Sequence, residues 1–148
     1  MVQTKLDTVI TALALRMHEL IRQAADHGFR LTVTSGFRSW EAQDELYARG
    51  RTVRGPRVTN ARGGHSWHNF RRAADVWPVS GPELVSGQWE IIGRIGESLG
   101  LEWGGRFTSI YDPCHFQLRD GLSLARAREL WRSQGDPMAG SSAPESPF

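Results

Sequence analysis

An α+β fold, with a small antiparallel sheet flanked by helices in a single domain, is what this sequence predicts. Three observations lead there. Apolar residues at helical spacing occur near both ends of the 148-residue chain, with short alternating segments between them. These helices and strands do not follow strict βαβ order, which argues against a parallel sheet. The length suits one core without disulfides, and Cys114, the only cysteine, excludes an internal one.

The elements follow in order. Ile10, Leu13, Met17, Leu20, Ile21 and Ala24 recur three and four residues apart, predicting a helix over 8–27 that Gly28 ends. Phe29, Leu31 and Val33 then alternate with Arg30, Thr32 and Thr34, the period of a half-buried strand. Ser39 can cap a second helix whose first turns carry Glu41 and Asp44, with Gly50 to end it. Residues 50–64, rich in Gly, Arg, Pro, Thr and Asn, read as a long loop. Residues 73–77 read as a strand stopped by Pro78. A third helix is expected over 88–99, with Trp89, Ile92, Ile95 and Leu99 on one face and Gly100 after it. Further strands are expected at 101–103 and 114–118, and Ser123 can cap a last helix through Trp131. Gly, Ser and Pro dominate from Ser133 onward, so the domain is placed at 1–132 and a disordered tail at 133–148.

Charge narrows the partners. Eighteen Lys and Arg stand against 16 Asp and Glu, a net of +2, with no basic block of the length a nucleic-acid arm needs. No nucleic-acid partner is expected; a mildly basic surface suits an anionic polymer such as a bacterial envelope. The apolar run from Val9 to Leu15 is preceded by Asp7 and followed by Arg16, His18 and Glu19, without a small-residue cleavage site. Neither a signal peptide nor membrane insertion is therefore expected, and the chain should be a monomer made in the cytoplasm.

The chemistry lies in His68, Asp75 and His115, with Asp112 just before the last. Asp75 interrupts the apolar run Ala73-Ala74-Asp75-Val76-Trp77, where a carboxylate is costly unless it is paired or holds a cation. Two imidazoles and one carboxylate leave a fourth zinc position open, the arrangement of a catalytic site. A carboxylate beside the site, not itself a ligand, can take a proton from the attacking water. That combination indicates a hydrolase. His18 and His27 fall on the first helix and need no functional account, and His65 reads as a loop residue near the site. Cys114 directly precedes His115, so on a strand the two point to opposite faces. It reads as a small buried hydrophobe rather than a ligand.

Ser66-x-His68-x-x-x-x-Ala73-x-Asp75, with the later Asp112-x-x-His115, resembles the zinc peptidases of the D-alanyl-D-alanine carboxypeptidase family. That family includes the vancomycin-resistance D,D-dipeptidases and the L-alanyl-D-glutamate endopeptidases of phage endolysins. Ser35-Gly36-Phe37-Arg38-Ser39, Val58-Thr59-Asn60-Ala61 and Leu101-Glu102-Trp103-Gly104-Gly105 are similar to the endolysin branch, and the likeness spans about residues 30–132. The resemblance implies zinc held by His68, Asp75 and His115, Asp112 as general base, and Arg38 on the scissile carbonyl oxygen or a substrate carboxylate. It implies substrate contacts for Gln43 and Ser66. It also implies that the substrate is the stem peptide of peptidoglycan, cut between L-Ala and D-Glu in the periplasm after release from the cytoplasm. A D,D-carboxypeptidase on the same scaffold is the alternative; a non-catalytic zinc-binding module would have no need of Asp112 and Arg38. The family has Gly where this chain has Arg71; a Gly there would allow an unusual backbone angle or close packing, and if φ is positive the long side chain costs about 1 kcal/mol and is tolerated.

Overall fold

In the computed structural model, which describes residues 4–139, the first helical signal divides in two. Thr4–Thr8 forms a 3-10 turn, and the first helix, α1, spans Thr11–Asp26. Thr8 is withdrawn from α1 because its hydroxyl is fully committed elsewhere. It donates to Lys5 O at 2.6 Å and accepts from Phe37 N at 2.9 Å. The expected start at residue 8 is thus three residues early. Leu13, Met17, Leu20 and Ala24 form the buried stripe, as the spacing requires.

Strand β1 (Leu31–Ser35) leads into α2 (Trp40–Ala48), where Ser39 Oγ accepts from Ala42 N. Strand β2 is Ala73–Pro78, one residue longer than expected, since Pro78 still faces Leu31 across the ladder. α3 (Ser86–Ser98), β3 (Glu102–Trp103), β4 (His115–Gln117) and α4 (Leu124–Gln134) complete the regular elements. The four strands pair antiparallel in the order β1-β2-β4-β3. The expected α+β architecture is therefore observed.

Strand alternation sorts the sheet into two faces. Ala74 and Val76 of β2 and Phe116 of β4 join Leu13, Met17, Leu20, Ile92 and Ile95 in the main core beneath α1 and α3. Ala73, on the other face of β2, joins a smaller cluster with Trp67, Phe70 and Ala127, closed by Trp40 and Trp131. Asp75, His115 and Gln117 share that second face by the same alternation. Among the described residues, no helix is long and apolar enough to cross a membrane.

Residues 133–139 of the expected tail are among the described residues. α4 runs to Gln134, and Asp136 forms a two-pronged ion pair with Arg71, Nε to Oδ1 and Nη2 to Oδ2, both at 2.7 Å. Residues 140–148 of the expected tail lie outside the described residues. Arg71 takes φ +63° and ψ 26°, so the left-handed backbone that a Gly would adopt freely is kept here by an arginine. Its side chain supplies the compensation. Nη1 donates to Thr8 O at 2.8 Å, and the guanidinium lies 3.8 Å from the Phe37 ring centroid.

Arg71→Gly, which keeps the backbone angle, and Asp136→Ala should each lower unfolding free energy by about 1.5–3 kcal/mol, the usual worth of a charged hydrogen-bonded group. The double variant should cost little more than either, and urea titration reads both. Full additivity would mean that the pair does not act as a unit. Burial alone would push the Asp136 carboxyl up, but the hydrogen bonds from Arg71 and Met138 N, with the Arg71 charge, together outweigh it and hold it below the usual carboxylate value. With a depressed folded-state pKa, the contribution is present above the unfolded value and fades as pH falls through the lower folded one. The gap between wild type and Asp136→Ala should therefore narrow in acid.

Candidate active site

Register brings two of the site residues together. Asp75 and His115 are direct partners across the central β2–β4 ladder, where opposed Cβ atoms stand about 4.5–5.5 Å apart. Both therefore sit in the two central strands of the sheet. His68 comes from a 3-10 turn, Trp67–Phe70, a stretch to which the sequence reading assigns no element. Ser66 caps it through its side chain, accepting from His68 N at 3.3 Å. Asn69 answers from the third position, its Oδ1 accepting from Ser66 N at 3.2 Å and from Gly64 N at 3.1 Å. This reciprocal capping aims the His68 ring at Asp75.

The three side chains can close on one ion. One ligand atom from each of His68, Asp75 and His115 lies within 4.8 Å of the others. His68 Nδ1–H donates to Gly36 O at 2.8 Å, which leaves the Nε2 lone pair facing Asp75 Oδ1 at 3.3 Å. Gly36 is needed there, because a Cβ would strike Lys5 O and Thr8 Oγ1. Nδ1 of His115 faces the same carboxylate oxygen at 3.1 Å, and its Nε2 lies 2.8 Å from Gln117 Oε1. Both rings thus have the outer nitrogen anchored and the inner one free for a metal, the usual second layer of a metal site. Burial would push the Asp75 carboxyl up, yet the two imidazoles outweigh it and hold it well below the usual carboxylate range. For His115, burial pulls the pKa down, and the hydrogen bond and charge of Asp75, with Asp112 and Gln117, together more than restore it. This donor set fits a divalent ion.

Gln117 escaped the sequence reading, although a polar residue two places after a strand histidine must share its face. Its role predicts a graded outcome. Gln117→Met, which removes the acceptor, should weaken metal binding about 10–100-fold. Gln117→Glu keeps an acceptor and should stay near wild type. Competition with a chromophoric chelator measures both, and equal affinities for the Met and Glu variants would remove Gln117 from the support of His115.

The turn before β4 presents Asp112. Asp112 N donates to Gly104 O at 3.1 Å, and Trp103 Nε1 donates to Pro113 O at 2.7 Å. Gly104 has no alternative, since a Cβ would overlap Asp112 O. Trp103-Gly104-Gly105 therefore serves as the cradle of the Asp112 turn. Oδ2 of Asp112 stands 3.9 Å from His115 Nδ1, and the side chain is 42% exposed toward the cleft. It is close to the three ligand candidates without being one of them. Cys114 packs against the main core, and burial pushes its thiol up, so it stays protonated.

Arg38 lines the same cleft, a cavity of about 840 Å³ that also takes in Ser66, His68, Asp75, Asp112 and His115. Burial lowers the Arg38 pKa, while Asp75 and Asp112 draw it back, placing a cation opposite two carboxylates. Gln43 does not line this cavity. It is buried, its Oε1 accepts from Arg38 Nη1 at 2.9 Å, and its Nε2 donates to Ala61 O at 2.9 Å. Gln43 holds Arg38 and the 59–61 loop, together with Asn69, whose Nδ2 donates to Arg38 O. Ser66 does line the cavity, but its hydroxyl is engaged as the cap. His65 lines it as well and stands outside the ligand set.

Two imidazoles and a carboxylate at the floor of an open cleft, with a second carboxylate and an arginine beside them, define a metallopeptidase-type site. The profile of the D-alanyl-D-alanine carboxypeptidase family VanY matches residues 7–91. A peptidoglycan L-alanyl-D-glutamate endopeptidase, CwlK of Bacillus subtilis (strain 168), is 34% identical over 122 residues, covering 69% of this chain and 73% of CwlK. The chain belongs to this family, and it is a metallopeptidase. Among solved structures, the L-Ala D-Glu endopeptidase ChiX of Serratia marcescens aligns with TM-score 0.53 and 26% identity, over 77% of this chain and 83% of ChiX. The LD-carboxypeptidase LdcB shares the fold at TM-score 0.60 and 19% identity, over 85% of this chain; the chain spans 64% of LdcB. A vancomycin-resistance D,D-pentapeptidase VanY in complex with Zn(II) shares it at TM-score 0.57 and 16% identity, over 85% of this chain and 79% of that one.

Proposed function

We propose that this protein is a zinc-dependent peptidoglycan hydrolase that cuts the L-Ala–D-Glu bond of the stem peptide. The observation that carries the choice of bond is the 34% identity to CwlK, an endopeptidase for that bond. His68, Asp75 and His115 would hold zinc, which would supply Lewis acidity to the scissile carbonyl and to the attacking water. Asp112 takes the proton of the attacking water and delivers it to the leaving amine. Arg38, fixed by Gln43 and by Ser35 Oγ at 3.1 Å, presents guanidinium hydrogens to the oxygen on which negative charge develops. The hydrolysis balances: water adds across the amide, giving a carboxylate on L-Ala and a free amine on D-Glu.

The reading is tested on purified peptidoglycan by mass spectrometry of the products. New N-terminal D-Glu, with L-Ala retained on the glycan strands, is expected. Release of free D-Ala with the L-Ala–D-Glu bond intact would establish the carboxypeptidase alternative. We further propose a lytic use of the phage-endolysin type, in the periplasm, supported by the endolysin-like segments 35–39, 58–61 and 101–105. Turbidity loss by outer-membrane-permeabilised cells, absent with Asp112→Asn, tests it.

A further inference from the structure

Positive charge that the hydrolytic reaction does not use stands beside one wall of the cleft, next to the lining residue His65. Val58 to Ala61, His65 and Leu124 line that wall. Arg62 and His65 are the two ends of a turn closed by His65 N donating to Arg62 O at 2.9 Å. Arg128 follows Leu124 by one helical turn on α4, hence on the same face. It crosses to this turn, where Nη1 donates to Gly64 O at 3.1 Å and lies 3.5 Å from His65 Nδ1. Arg62 is exposed, and Arg128 is half-exposed. Burial, then Arg128, Arg62 and Arg132, disfavour the protonated form of His65, so the three guanidiniums act on one spot. One carboxylate faces them, Asp44, and its Oδ1 accepts from Gly63 N at 2.7 Å. Among the described residues neither Arg62 nor Arg128 has an ion-pair partner, whereas Arg22, Arg106 and Arg119 are paired at helix and strand surfaces.

We propose that the Arg62–His65–Arg128 cluster is a substrate subsite that takes a free carboxylate of the stem peptide. This deepens the function proposed above and rests on it. His65 stands three residues before His68, so the cluster borders the zinc floor by a single turn. With zinc bound, Asp75 and Asp112 would offset the ion, and Arg38, the remaining cation at the floor, is assigned to the scissile carbonyl oxygen. A carboxylate next to the scissile bond would therefore draw on the arginines beside His65. A guanidinium fork suits a planar carboxylate, and neutral His65 can donate one more hydrogen bond. The side on which D-Glu leaves carries such a group, because its link to the next residue runs through the γ-carboxyl and leaves the α-carboxyl free.

The test uses two synthetic stem peptides that differ only in this group, one with the α-carboxyl of D-Glu free and one with it amidated. Wild type should prefer the free acid in kcat/KM by roughly tenfold, through KM, and the preference should shrink as salt screens it. Arg62→Gln with Arg128→Gln should bring the ratio close to one. Arg128→Lys, which keeps charge, should retain most of it. Thermal melting and zinc content of each variant show whether it is folded. A merely structural role would lower both rates together and leave the ratio unchanged. An unchanged ratio in the double variant, or no preference in wild type, overturns the proposal. Cleavage of the amidated peptide between L-Ala and D-Glu upholds the assigned bond whatever the ratio. If neither peptide is cut there, calorimetric binding of the two peptides to the zinc-loaded protein still decides the subsite.

Discussion

Asp112→Asn should keep its metal and lose turnover about 100-fold or more, the usual worth of a positioned general base. The geometry makes this a clean substitution. Asn has the same shape, so the turn held by Gly104 O and by Trp103 Nε1 on Pro113 O should survive. Its amide cannot accept the proton from water at neutral pH. Asp112 stands beside His115 without completing the ligand set, so zinc content should stay at wild-type level. The rate is measured as release of new amines from peptidoglycan, with metal determined by atomic emission on the same sample. A fall in kcat with KM little changed is expected, because the carboxylate acts on the proton in flight rather than on the bound stem. An Asn variant with full zinc and near-normal kcat would sink the assignment and turn attention to another base. Loss of zinc in that variant would instead make Asp112 part of the ligand cage.

How far sequence goes in this molecule depends on the range of the interaction that positions each residue. The buried stripe of α1, the Ser39 cap and the alternation in β1 are local, and all were legible. Asp75 was legible for a related reason: a carboxylate in an apolar strand advertises its cost. That Asp75 would stand opposite His115 was not, since register depends on strands 40 residues apart finding the pairing that buries Phe116 with Ala74 and Val76. The roles of Gln43 and Gln117 were illegible individually. A buried Gln and a surface Gln look alike in sequence, and only contact with Arg38 or with a ring nitrogen separates them. Asn69 left a trace, the Ser-x-x-Asn spacing of a capping box, which can be searched for wherever a candidate ligand lies within the first turn. Arg71 is the opposite case. Its positive φ could be suspected, but the Asp136 pair that offsets the strain comes from beyond the point where composition suggested order ends.

His115→Ala should lose both metal and activity, and the folded protein should lose its response to zinc. Asp75, whose side chain is 19% exposed, has no Arg or Lys in ion-pair contact among the described residues. With both imidazoles present, the carboxylate is balanced by ring N–H groups or by a metal. Removing His115 takes away one of the three candidate ligands and leaves Gln117 Oε1 without that ring nitrogen. An ion that binds the folded chain alone stabilises it by RT ln(1 + [L]/Kd), or about 2.7 kcal/mol at a hundredfold excess over Kd. The wild-type melting temperature should therefore fall with a chelator and recover with added zinc. His68→Ala should behave likewise, although there the freed Gly36 O adds a separate destabilisation that zinc cannot repair. Asp112→Asn should keep the full zinc response, so melting curves separate ligands from base without any assay of catalysis. Full zinc occupancy in His115→Ala or His68→Ala would remove that histidine from the cage. A wild-type melting temperature indifferent to both chelator and zinc would remove the metal itself from the account of this site.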